Sequence, residues 1–167
     1  KAVRACLGAR PAVAQGRVSR HLRLGLERLC AQLGLSPEQI AARLPSEPAL
    51  CLSLAEGVTV DESFFFRQPE DFDALVAGVR ERLADPARGR APITVWSAGC
   101  ASGEEPYSIA IAIHRALGAA ALSQVQVLAT DASLGALAEA RAATYGAWSL
   151  RGVPEDVRAR YFEPADP

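Results

Sequence analysis

The chain has no methionine and only two histidines among its 167 residues, and its four cysteines stand far apart. Cys6, Cys30, Cys51 and Cys100 form no Cys-x-x-Cys pair, and His21 and His114 are isolated. The pattern indicates neither a zinc site nor a disulfide framework, and reduced thiols are expected. No run of about 18 apolar residues occurs, and the basic-then-apolar pattern of a signal peptide is missing, so a cytoplasmic protein without membrane insertion is expected. With no methionine and Lys1 in first place, the native start is read as absent.

Half of the residues are apolar, enough for a packed core. The net charge is −1, which speaks against nucleic acid as a partner. That charge is unevenly spread: residues 1–57 hold 8 basic and 4 acidic side chains, residues 58–167 hold 10 and 15. An acidic partner for the basic part is one consequence of such asymmetry, and plain solubility is the other.

Along residues 17–33, Leu22, Leu26, Leu29 and Leu33 recur at helical spacing while Arg17, Arg20, Arg23 and Arg28 fall largely elsewhere, a basic amphipathic helix. Ser36 before Pro37, with Glu38 and Gln39 following, is a helix start, and Ile40 to Leu44 gives that helix an apolar face. A third helix is expected to stop near Gly57, and a fourth covers Glu70 to Leu83. The breaker-rich stretch Ala84 to Pro92 then leads into an apolar strand. The expected organisation is a helical domain over 1–69, a linking helix and loop over 70–92, and an α/β portion over 93–167.

That portion opens with Ile93-Thr94-Val95-Trp96-Ser97-Ala98-Gly99-Cys100-Ala101-Ser102-Gly103-Glu104-Glu105-Pro106-Tyr107-Ser108: strand, small-residue turn, helix. Gly99 and Gly103 lack Cβ atoms, so the turn can take unusual dihedrals and approach a ligand closely. The helix continues through Ile109 to Leu117 and ends near Gly118. Its N-terminus would ordinarily attract phosphate, but Glu104 and Glu105 repel it and suit an ammonium group or a ribose hydroxyl. A second strand, Val125 to Thr130, ends at Asp131, where a sugar-binding acid sits in a parallel sheet. Asp131 also suits a helix N-cap, and the two roles are compatible. A sulfonium cofactor carrying adenosine and an amino acid, S-adenosylmethionine, meets these charge requirements. Helices over Leu134–Ala143 and Pro154–Tyr161 close the chain.

Upstream lies Thr59-Val60-Asp61-Glu62-Ser63-Phe64-Phe65-Phe66-Arg67. Together with Trp96 to Ser108 and Thr130 to Ser133, it resembles the CheR-type chemotaxis receptor methyltransferases, whose pattern joins T-x-N-E-T-x-F-F-R to W-S-A-G-C-S-T-G-E-E-P-Y-S and T-D-I-D. The likeness spans roughly residues 20–162 and is strongest over 58–145. Asp61 replaces the family's Asn, Ser63 its Thr, and Ala132-Ser133 departs from its second-strand motif.

The resemblance implies an α/β fold, with a small N-terminal helical domain before the first half of a Rossmann-like class I methyltransferase sheet. It implies cofactor contacts from Asp61, Ser63, Arg67, one of Glu104 and Glu105, and Asp131, beside the close backbone approach expected at Gly99. The activity implied is methyl transfer from S-adenosylmethionine to glutamate side chains of a methyl-accepting chemoreceptor, with S-adenosylhomocysteine as product. Docking on the Arg17, Arg20, Arg23 and Arg28 face is the family's suggestion. Only two strands are evident, so the chain is expected to be a piece of the enzyme and inactive alone. A diverged, non-catalytic module binding cofactor or partner is the rival reading, and a methyltransferase with another substrate the third. Without the family, Arg67 reads as a solvated or ion-paired charge, at least two of Phe64 to Phe66 as core, and Trp96 and Trp148 as core.

Overall fold

The computed structural model describes residues 15–58 and 63–164, with side chains of the first stretch described over 22–55. The chain divides into two compact units, Lys1–Asp61 with Ala132–Gly135, and Glu62–Asp131 with Ala136–Pro167.

Among the described residues the first unit contains the helices α1 (Gln15–Leu33), α2 (Pro37–Arg43) and α3 (Pro48–Val58). Gly34 turns left-handed at φ 65° and lets Leu35 N donate back to Cys30 O, which closes α1. Ser36 starts α2 with a complete capping box: its Oγ accepts from Gln39 N, and Gln39 Oε1 accepts from Ser36 N at 2.8 Å. Leu29, Ile40, Leu44, Leu50 and Leu54 are buried together, with Leu22 and Leu26 packed around them. Leu33 is 47% exposed instead of joining them.

The second unit begins with α4 (Pro69–Ala84), followed by a 3-10 turn at Pro86–Arg88 within the expected link. Strand β1 (Ile93–Ala98) pairs in parallel with β2 (Val125–Thr130), Ile93 opposite Val125 and Ala98 opposite Thr130. Between them run α5 (Glu104–Leu117) and a short helix α6 (Ala119–Leu122), which the sequence pattern does not predict because Gly118 reads as the end of helical structure. Two further helices follow, α7 (Leu134–Ala142) and α8 (Glu155–Tyr161). The strand–helix–parallel-strand order is the expected α/β architecture.

Helix α5 is apolar nearly all round because it is buried on two sides. Ile109 and Ile113 pack with Val76, Val79 and Ile93, whereas Ile111 joins Phe65 and Val157. Phe65 is fully buried and meets Tyr145 and Phe162 edge-on at 4.8 Å, while Phe64 and Phe66 are half-buried. The two tryptophans depart from the expected core placement: Trp96 is 65% and Trp148 64% exposed. Alternation along β1 turns Ile93, Val95 and Ser97 inward and therefore Trp96 outward, where its indole donates to Thr130 Oγ1 at 2.9 Å.

Candidate functional site

The site forms where β1 runs out. Gly99 N and Cys100 N both donate to Thr130 O, at 2.8 and 3.0 Å, so the turn folds across the end of β2. Ala101 N then donates to Asp131 Oδ2 at 2.8 Å, fixing that half-buried carboxylate beneath the turn. Gly99, Ala101 and Gly103 all take positive φ, 79°, 46° and 98°. Gly99 has open space around the place of a missing Cβ. At Gly103 a Cβ would fall 2.8 Å from Ala140 Cβ and from Tyr145 Oη. One glycine serves backbone conformation, the other both conformation and close packing against α7.

The adjacent glutamates differ sharply. Glu104 is 2% exposed, and its carboxylate accepts from Ser102 Oγ and Ser149 Oγ, both at 2.8 Å. Its carbonyl accepts from the buried Ser108 Oγ at 2.6 Å, and that hydroxyl in turn accepts from Phe66 N at 3.0 Å. Phe65 N donates to Ser149 O at 3.0 Å. Glu104 is thus the hub that ties the Ser63–Arg67 segment and the loop around Ser149 to the glycine turn. Glu105 is exposed and accepts from Ser97 Oγ at 2.5 Å. Tyr145 closes the turn from behind, its Oη donating to Ser102 O at 2.9 Å. Burial first, then the neighbouring Tyr107 and Glu104, pushes the Tyr145 hydroxyl well above its ordinary range. Burial and the Asp131 charge likewise raise the Cys100 thiol, so Cys100 is a packing residue rather than a reactive one.

Of the residues singled out in the sequence, Gly99, Glu105 and Asp131 gather around this turn and Glu104 lies beneath it. Ser63 is half-buried, and Arg67 is exposed with Cζ 5.9 Å from the Phe64 ring centroid. Asp61 lies outside the described residues, as do the side chains of Arg17 and Arg20. Arg23 and Arg28 are exposed on α1, and Arg23 pairs with Glu27 at 2.9 Å. Sequence reading missed Ser97, Ser102, Ser108, Ser149 and Tyr145; a serine closing an apolar strand marks Ser97, but no local pattern marks Ser149. Among the described residues no group of three or more His, Cys, Asp and Glu side chains is placed to hold a metal. Cys30 and Cys100 are free thiols, but Cys51 is disulfide-bonded, against the expectation of four reduced thiols. Scattered spacing carries no information about which thiols folding brings together.

The donor set fits a cofactor that is cationic and rich in hydroxyls. Two carboxylates, Glu105 at the start of α5 and Asp131 at the end of β2, flank a turn of small residues that carries no Lys or Arg. Phosphate would meet repulsion here. A parallel sheet whose first turn is glycine-rich and whose second strand ends in an acid is the first half of a class I methyltransferase fold. The family described as CheR methyltransferase, SAM binding domain, matches residues 61–167, and the chain belongs to it. Its cofactor is accordingly S-adenosylmethionine.

The chain is similar to the probable biofilm formation methyltransferase WspC of Pseudomonas putida, 40% identical over 68% of this chain and 26% of the relative. It is 32% identical to a probable chemotaxis protein methyltransferase of Rhizobium etli over 90% of this chain and 54% of that protein. It is also 31% identical to the chemotaxis protein methyltransferase of Borreliella burgdorferi, over 66% and 40% of the two chains. The chain therefore spans between about a quarter and a half of the length of these relatives. Among the described residues no helix is long and apolar enough to cross a membrane.

Proposed function

We propose that the whole protein methylates glutamate side chains of a chemoreceptor, with S-adenosylmethionine as methyl donor, in the cytoplasm. The observation that carries this reading is the pair of carboxylates, Glu105 and Asp131, flanking the glycine turn at the ends of two parallel strands. Glu105 is the glutamate assigned to the cofactor, because it is exposed whereas Glu104 is buried and satisfied by two serine hydroxyls. It suits the amino group of the methionine moiety, and Asp131 the ribose hydroxyls. Ser63 and Arg67 belong to the same site through the backbone bonds of Phe65 and Phe66. Glu104 is a positioning residue. Asp61 remains a cofactor ligand on its motif alone.

When bound, S-adenosylmethionine supplies an electrophilic methyl group on a sulfonium. A glutamate side chain has a reference pKa of about 4.3 and is already a nucleophilic anion at neutral pH, so the chain need supply no general base. Its contribution is placement and exclusion of water, for which effective molarities of about 10⁵ M or more are attainable. Methylation removes a charge from the receptor and so biases its signalling equilibrium.

The similarity to a probable biofilm formation methyltransferase favours a second reading of the partner, a receptor of a system that controls biofilm formation rather than chemotaxis. Calorimetric titration of the whole protein with S-adenosylhomocysteine, followed by methyl-ester assays on purified receptors of both kinds, tests both readings. Binding lost in Asp131→Ala, with esters on the chemoreceptor, is the expected result. Absence of binding by the wild-type protein would favour a non-catalytic module, and esters on the other receptor alone would reassign the partner.

A further inference from the structure

Next to the glycine turn, the loop around Ser149 folds onto the segment around Phe65, and the two place three side chains together at the surface. The Arg151 guanidinium lies between two aromatic rings, Cζ being 3.6 Å from the Phe64 centroid and 3.9 Å from that of Trp148. Its Nη1 donates to Trp148 O at 2.6 Å, which fixes its rotation within the stack. Arg151 is exposed and so is most of Trp148, so the arrangement contributes little to any core.

A guanidinium held between two rings keeps the N–H groups not bonded to Trp148 O in one plane, where a carboxylate can accept from them. Cation–π contact on both faces holds the long side chain in one conformation before any partner arrives. The two stretches that build the stack, residues 63–68 and 144–154, contain Arg67 and Arg151 and no Asp or Glu, although Glu62, Glu70, Glu155 and Asp156 lie close outside them in sequence. The stack also adjoins the candidate cofactor site, since Ser149, between Trp148 and Arg151 in sequence, donates its hydroxyl to Glu104.

We propose that Phe64, Arg151 and Trp148 form a docking point for an acidic segment of the protein substrate, in which Arg151 grips a carboxylate neighbouring the one to be methylated. The identity of the partner rests on the methyl-transfer reading above. The location and the ligand chemistry rest on the stack itself. Charge complementarity selects an acidic peptide, and the aromatic faces supply apolar contact for its helical or extended backbone.

The test uses the whole protein with S-adenosylhomocysteine present, and a fluorescein-labelled peptide of repeating Glu and Ala beside a counterpart with every Glu replaced by Gln. Anisotropy is expected to show binding of the acidic peptide only, weakened about tenfold by Arg151→Gln, since loss of a charge-assisted bond of about 1.4 kcal/mol is a factor of ten. Arg151→Lys is expected to recover only part of the affinity, because an ammonium lacks the planar fork, and Trp148→Ala to weaken binding severalfold. S-adenosylhomocysteine affinity by calorimetry is expected to stay unchanged in all three variants. Equal binding of both peptides, peptide affinity untouched by Arg151→Gln, binding of phosphatidylglycerol vesicles in place of the peptide, or loss of S-adenosylhomocysteine binding in the variants would each overturn the proposal. Cofactor-product binding by the wild type without methyl-ester formation would instead overturn the methyl-transfer reading, leaving the contrast between peptides to decide the docking point.

Discussion

Two consecutive glutamates with identical chemistry are separated by burial alone. Glu104 is itself buried in the first turn of α5 and its two serine donors are half-buried, so Glu104→Ala leaves Ser102 Oγ and Ser149 Oγ without their acceptor and empties the space its side chain fills. A hydroxyl left without a partner costs about 1–3 kcal/mol when fully buried and less when half-buried, and with the void left by the buried side chain the variant is expected to lose roughly 2–4 kcal/mol in urea unfolding, with Glu104→Gln losing less. Glu105→Ala removes an exposed carboxylate but leaves the buried Ser97 Oγ without its acceptor, and is expected to cost about 1 kcal/mol while weakening S-adenosylhomocysteine binding in calorimetry. The opposite pattern would exchange their roles. Tyr145 gives a pH signature on the same turn. Its hydroxyl is raised by burial, so above tyrosine's ordinary value of about 10 the unfolded chain ionises while the folded one stays neutral. Stability from this group is fully present below about pH 10 and falls as pH climbs toward the folded value. Tyr145→Phe is expected to flatten that alkaline decline, measured by chemical unfolding at successive pH values, and to cost about 1 kcal/mol at neutral pH through the lost bond to Ser102 O.

The turn between β1 and α5 shows how far local pattern reaches. Its existence, the strand before it and the helix after it were legible because each rests on residues close in sequence: period-two alternation, paired glycines, a helical apolar run. The capping box at Ser36 was legible for the same reason. What sequence could not show is the division of labour between the glycines, since it depends on Ala140 and Tyr145 arriving from beyond β2. It could not show Ser149 as the second donor to Glu104 either, because 45 residues separate them. The outward placement of Trp96 follows from alternation along β1, against which its residue type alone points to the core. The glycine contrast is measurable. Gly99→Ala carries only the cost of a left-handed alanine, about 1–2 kcal/mol, whereas Gly103→Ala adds a collision with Ala140 Cβ and Tyr145 Oη at 2.8 Å and is expected to cost several kcal/mol or to prevent folding. Denaturant midpoints of the two variants check the order, and equal losses would mean that packing against α7 is looser than the contacts indicate.

At the scale of the whole molecule, both tryptophans and the glycine turn belong to the second compact unit, and the clusters around Ile113 and Phe65 make its cores. Ligand and fluorescence therefore report on the same body. A ligand that binds only the folded state at 100 times its dissociation constant stabilises that state by about 2.7 kcal/mol. For a unit of this size each kcal/mol raises the melting temperature by about 4 °C, so saturating S-adenosylhomocysteine is expected to raise the tryptophan-detected transition by about 10 °C. Glu105→Ala and Asp131→Ala are expected to remove most of that shift while starting from melting temperatures lowered by a few degrees, since each leaves a donor of the turn without its acceptor. Arg151→Gln, which lies in the exposed aromatic stack, is expected to retain it in full. A shift that survives Asp131→Ala would place the ligand away from the ends of β1 and β2. A shift abolished by Arg151→Gln would merge the stack with the cofactor site and remove the physical separation on which the substrate-docking role depends.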